Sequence, residues 1–194
     1  MGNRKLRYIV ILTLAALLML AACSGSGKSV EELVQEIRED LENAQRLILN
    51  AQITADYGDR VHNFTIRYSG NADTGEIAIL APEQIAGVTA EVTMNGMTLV
   101  FDGVRLETGS LTDSGLSPAM AIPLLISEWR GGRITFAGFE RYGALDTVVL
   151  ETAVDDSVVQ KTWFDSRTLL PIRSEISDGG VLVLVCVFDN VVIE

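Results

Sequence analysis

Histidine is almost missing from this chain: His62 is the single one in 194 residues. Cysteine occurs twice, at Cys23 and Cys186. So small a set of imidazoles and thiols argues against a zinc site. It leaves acid–base catalysis without its commonest group. Basic residues are also short, 15 against 26 acidic, for a net charge of −11. That excess repels phosphate backbones, so nucleic acid is excluded as a partner. It also disfavours lying flat on anionic lipid headgroups. No glycine-rich phosphate loop is present, because Gly131-Gly132 follows an apolar run instead of opening a helix. No internal repeat stands out.

What is present begins at the N-terminus. Arg4, Lys5 and Arg7 form a positive cluster, and residues 8–20 are apolar except for Thr13. The run is shorter than the roughly 20 residues of a membrane-spanning helix. It suits the hydrophobic stretch of a signal peptide. The run closes in Leu20-Ala21-Ala22-Cys23, which resembles the lipobox of bacterial lipoproteins. The resemblance implies cleavage before Cys23, acylation of its thiol, and an extracytoplasmic chain anchored to a cell membrane. Ser24 would permit outer-membrane sorting in a two-membrane cell. Ser24-Gly25-Ser26-Gly27 has the composition of a flexible tether. The expected organisation is a signal peptide at 1–22, a tether at 23–28 carrying the lipidated Cys23, and one domain at 29–194. Removing 1–22 takes away three basic residues and no acidic one. The remaining 172 residues then carry twelve basic against 26 acidic side chains, a net of −14. With Cys23 acylated, Cys186 has no partner, and its apolar surroundings predict an inert buried thiol.

Residues 29–50 read as one amphipathic helix. Val30, Leu33, Val34, Ile37, Leu41, Ala44, Leu47 and Ile48 follow the helical period. Ser29 with Glu32 predicts a capping box. From Ala51 onward the pattern changes to alternation and tight turns. His62, Phe64, Ile66 and Tyr68 alternate with polar residues after a turn at 57–60. Asn95-Gly96 predicts a type I′ hairpin turn between strands at 88–94 and 97–101, and Asp102-Gly103 leads into a strand at 104–108. Turns at 155–156, 165–167 and 178–180 separate strands at 145–154, 158–164, 169–177 and 181–188. Residues 117–129 break the β pattern. They are almost wholly apolar, with Pro118 suited to a first helical turn and Pro123 expected to kink the helix or restart it. The fold class is α+β: about 10–11 antiparallel strands in a curved sheet, with the N-terminal helix and the apolar helix on one side.

The chain resembles the LolA-like superfamily of outer-membrane lipoprotein carriers and tethered lipoproteins. The likeness rests on the order of elements and on two local stretches. Leu80-Ala81-Pro82-Glu83-Gln84-Ile85-Ala86-Gly87 resembles a strand-end segment, and Trp163-Phe164-Asp165-Ser166-Arg167-Thr168-Leu169-Leu170-Pro171-Ile172-Arg173 a closing hairpin. The resemblance implies a half-open barrel whose helices plug the concave side. It also implies a cavity for acyl chains, or a closed scaffold that docks another protein. Relatives include mycobacterial glycolipid-binding lipoproteins and a clostridial germination lipoprotein that binds a cell-wall amidase. A diffusing shuttle is not expected of an anchored chain.

Two expectations stay open. One is a non-catalytic protein holding a lipid or other acyl ligand, without cofactor or metal. The cavity candidates are Met94, Met97, Met120, Ile122, Leu124, Leu125 and Trp129, chosen because methionine adapts to variable apolar shapes. Filling the core is their competing role. The other is an adaptor docking a cell-envelope enzyme. Acidic pairs such as Glu31-Glu32 and Asp155-Asp156 are accounted for by a helix start and a turn.

Overall fold

A computed structural model describes residues 27–71, 73–93, 96–101, 104–107 and 116–194. The expected signal peptide, Cys23, Met94, Asn95, Asp102-Gly103 and the polar stretch 111–115 lie outside the described residues.

The chain enters through helix α1 (Val30–Asn43). The Glu32 N–H donates to Ser29 Oγ at 3.2 Å, and the Ser29 N–H donates to Glu32 Oε2 at 2.7 Å. This reciprocal pair is the expected capping box, satisfying two donors that a helix start otherwise leaves free. Leu33, Val34, Ile37 and Leu41 are the buried stripe. The helix ends at Asn43, seven residues before the expected Asn50. Leu47 and Ile48 belong to strand β1 (Leu47–Asp56), where Leu47, Leu49, Ala51, Ile53 and Ala55 face inward. A step of three from Ala44 to Leu47 fits a helix, and a step of two from Leu47 to Leu49 fits a strand. Tertiary pairing decides between them. The Gln45 and Arg46 N–H groups donate to the carbonyl of Glu194 at 2.6 and 2.8 Å. β1 then pairs on both sides.

The remaining strands are β2 (Val61–Gly70), β3 (Gly75–Ala81), β4 (Thr89–Thr93), β5 (Gly96–Phe101) and β6 (Val104–Glu107). After helix α2 (Pro118–Gly131) come β7 (Arg133–Tyr142), β8 (Leu145–Ala153), β9 (Val158–Asp165), β10 (Pro171–Asp178) and β11 (Val181–Ile193). A short 3-10 turn, Glu83–Ile85, lies between β3 and β4. All eleven described strands join one antiparallel sheet in the order β6-β5-β4-β3-β2-β1-β11-β10-β9-β8-β7. The topology is two meanders that share the central pair β1–β11 and are joined through α2. β6 and β7 are the two edges and do not pair with each other, so the barrel is half-open.

Two local departures have local causes. Thr93 pairs with Gly96, so Gly96 opens β5 and the connecting pair is one residue earlier than expected. β11 continues past Phe188. The register against β1 slips between Leu49–Val191 and Ala51–Phe188, and Asn190 takes φ +42°. Asn tolerates the left-handed region better than most residues, which lets a bulge occur where a strand end was expected.

α2 starts with Pro118 after Ser117, as its sequence suggests. It runs through Pro123 without dividing into two helices. A proline there removes the N–H that would bond the Ala119 carbonyl. Burial of Pro123 and its neighbours holds the helix together across that gap.

Candidate functional site

α2 lies in the concavity. Met120, Ile122, Leu125 and Trp129 are each at most 3% exposed and join Met97 of β5 in a single core cluster. Leu124 packs on it half-buried. The Trp129 ring meets Phe164 and Phe188 edge-on, with centroids 5.5 and 5.7 Å away. Its indole N–H donates to Thr162 Oγ1 at 2.8 Å. These candidates are brought together, as one packed body. Met94 lies outside the described residues.

Open space adjoins that body. A groove of about 380 Å³ runs between α2 and strands β2 and β4. Its walls are Tyr68, Val92, Pro123, Ile126, Ser127 and Arg130. Pro123, Ile126, Ser127 and Arg130 are spaced by three, one and three residues, a single helical stripe. That spacing was the signal in the sequence for a second face of α2, and the candidate set passed over it. At the mouth stand Glu42 and Asp73, with Arg130 3.7 Å from the Asp73 carboxylate. Burial pushes the Tyr68 phenol up in pKa, opposed in part by the Arg130 charge. The groove therefore joins an apolar wall to a charged rim, the usual make-up of a site for an amphiphilic small molecule.

Strand direction fixes where the groove opens. Asp73 is in the β2–β3 turn, Thr93 ends β4 and Glu42 is near the end of α1. These points share one end of the sheet with the start of β1 and the C-terminal Glu194. Gly27 and Lys28, which lead back to Cys23, meet the same end, beside Phe139 and Leu169.

Under the C-terminal part of α2 the floor is different. Thr152, Gln160, Thr162 and Ser174 are fully buried on the concave side. Thr162 and Ser174 share a 2.7 Å hydrogen bond. Neither polar atom of the Gln160 amide has a hydrogen-bond partner among the described residues. Glu128 of α2 joins this seam. Burial raises its carboxyl pKa, offset in part by the Thr152 hydroxyl and the Arg38 charge. Arg38 of α1 donates to the Gly132 carbonyl at 2.6 Å, tying α1 to the end of α2.

Cys186 is fully buried, and burial pushes its thiol up to about 12. That matches the inert thiol expected. His62 is exposed on β2, its ring between those of Tyr57 and Phe64. No described helix is long and apolar enough to cross a membrane.

No family model matches the sequence, and no curated protein matches it either. Solved structures do. An uncharacterized conserved protein from Thermus thermophilus superposes with a TM-score of 0.54 at 10% identity, over 86% of this chain and 88% of that one. A domain assigned to outer-membrane lipoprotein sorting, from Vibrio parahaemolyticus, gives 0.53 at 14% identity over 86% and 94%. A DUF1329 family protein from Desulfovibrio piger gives 0.51 at 15% identity over 85% and 92%. At these identities the shared property is the fold. That fold is a curved, half-open antiparallel sheet with helices on its concave side, the architecture that the sequence resemblance implied.

Proposed function

We propose that this chain is a membrane-anchored, extracytoplasmic, non-catalytic lipoprotein that holds a lipid or other acyl ligand in the groove beside α2. The observation that carries this reading is the groove itself. It is about 380 Å³, apolar along Val92, Pro123 and Ile126, and open at the end from which the chain leads back to Cys23. A ligand taken from the membrane has its entrance there. Pro123 leaves α2 one backbone hydrogen bond short, which lowers the cost of shifting the helix to widen the groove. The acyl anchor on Cys23 keeps the groove close to its source of ligand. Ala in place of Cys23 is expected to leave the chain unprocessed or released from membranes.

Ser127 offers the cleanest test, because it is exposed and lines the groove without supporting the core. The S127W variant should melt like wild type and lose at least about tenfold in affinity for a fluorescent fatty acid, the scale of a blocked apolar subsite. Wild type that binds no such probe, or S127W that binds it equally well, contradicts the reading.

A second reading has its own observation. The convex face carries Phe136, 53% exposed, and Tyr142 beside Trp163. The Trp163 indole N–H is fixed on Glu140 Oε2 at 2.5 Å, and Lys161 stacks on its ring. An aromatic patch held rigid in this way suits an adaptor that docks a cell-envelope enzyme such as a cell-wall amidase. Loss of partner binding in F136A with retained fatty-acid binding would favour it.

A further inference from the structure

The end of the barrel that carries Gly27 holds an exposed apolar side chain that the core does not use. Phe139 lies on the inward side of edge strand β7, opposite Val148, yet is 59% exposed. It borders two adjoining surface hollows. One is walled by Gly27, Lys28 and Leu169, the other by Arg141, Asp146 and Ser166. Four Cα–Cα steps separate Gly27 from Cys23. Fully extended, these steps reach about 14 Å. If Cys23 is acylated, this end of the domain cannot stand further than that from the lipid headgroups, whatever the rest of the molecule does.

Each cation of this surface has an anion beside it: Lys28 pairs with Glu36, Arg141 with Asp146 at 3.6 Å, and Arg167 with Asp165 at 3.9 Å. Glu32 and Asp40 also act on Lys28, so the short tether and the exposed ring, not charge, bring this end to the lipid. The platform is also rigid. Burial works against ionisation of Asp165. The Arg167 and Thr168 N–H groups and the Arg167 charge outweigh it, and the carboxyl is held below its usual range. Leu169 is kept at φ +56° with its side chain buried.

We infer that the surface formed by Phe139, Lys28, Arg141 and Arg167 seats the domain on the lipid bilayer, with the Phe139 ring in the headgroup–acyl boundary. This rests on the reading that Cys23 carries acyl chains. One short tether then fixes both distance and orientation. The ring is delivered to the membrane at high effective concentration, so one aromatic side chain suffices where it would not bind unaided. The seated domain also presents the mouth of the groove beside α2 to the same bilayer.

The test uses the full chain purified from membranes, its acyl mass confirmed on the intact protein. It is placed in phosphatidylcholine vesicles with about a quarter phosphatidylglycerol, an anionic surface. F139W and V181W are compared, the second at the β10–β11 turn at the opposite end of the sheet, where Val181 is 67% exposed. The two native indoles, Trp129 and Trp163, are both under a tenth exposed and supply a constant background. Dibrominated phosphatidylcholine should cut the added F139W emission by about half and leave V181W unchanged, as burial in the lipid boundary requires. Equal quenching at both sites, or none at F139W, overturns the inference while the acyl mass still upholds the anchor. Shielding of F139W from iodide in concentrated lipid-free protein would assign the surface to a second copy and overturn it as well. An unacylated mass removes the anchor, and this inference with it.

Discussion

The two halves of the concave floor differ in chemistry, and α2 treats them differently. Beneath the first meander the floor is Ile66, Tyr68, Ile77, Ala90, Val92 and Met97, nearly all hydrocarbon. Beneath the second it includes Thr152, Gln160, Thr162 and Ser174, all fully buried. α2 is closed down on the polar half, through Trp129 on Thr162 and Glu128 near Thr152. Over the apolar half it leaves a groove. Closure over the polar half has a cost, because the Gln160 amide is buried there without a hydrogen-bond partner among the described residues. The floor of the apolar half is also buried, and the groove opens beside it along α2.

Substitutions in α2 can break this contrast. The largest effect is expected at Leu125, which is fully buried in the core cluster. L125D places a carboxylate in the core and should cost more than about 4 kcal/mol, enough to prevent folding. Far-UV dichroism and soluble yield check it. W129A should follow. It removes the edge-on contacts to Phe164 and Phe188 and leaves Thr162 without its donor, for a loss of about 3–5 kcal/mol in urea denaturation. If the groove is independent of the polar seam, fatty-acid affinity per folded molecule should fall far less than stability.

Substitutions in the seam sharpen the contrast in the opposite direction. Q160L replaces a buried amide whose two polar atoms have no partner among the described residues, and should stabilise the fold by about 1 kcal/mol. E128Q addresses the raised Glu128 carboxyl. A folded-state pKa above the unfolded one means that the folded form binds the proton better. The charge therefore destabilises the fold fully above the folded pKa and not at all below the unfolded one. E128Q should be more stable than wild type at pH 7, and the gain should vanish as pH falls through the carboxylate range. A gain that persists in acid would place its origin elsewhere. The smallest expected effect is at Cys186. With its thiol at about 12 and no exposure, it should resist alkylation in the native state and react on unfolding.

Much of this arrangement was legible in the residues. The Ser29–Glu32 cap, the alternation in β2, the Asp-led turns at 155, 165 and 178, and the apolar run at 118–129 are local signals with local causes. They were enough for the α+β class and the strand count. What failed was decided by partners distant in sequence. Leu47 and Ile48 obey a helical period, but hydrogen bonds to the C-terminal residue draw them into the sheet. Asp189-Asn190 reads as a strand end, yet the chain bulges there and resumes pairing. The groove was missed for a different reason. Its lining belongs to the same apolar helix as the core, and only the spacing of Pro123, Ile126, Ser127 and Arg130 separates one face from the other. Alternation and composition see a single hydrophobic run.

The central claim is that ligand sits over the apolar half, beside α2. A fatty acid carrying a photoactivatable diazirine on its chain, bound to the full protein and irradiated, tests this most directly. Peptide mapping should place the label on residues 123–130 of α2 and on Tyr68 or Val92 across the groove, with the label lost in S127W. Label on Phe136 and the convex face, or on Thr152 and Gln160 beneath the polar half, would contradict the account.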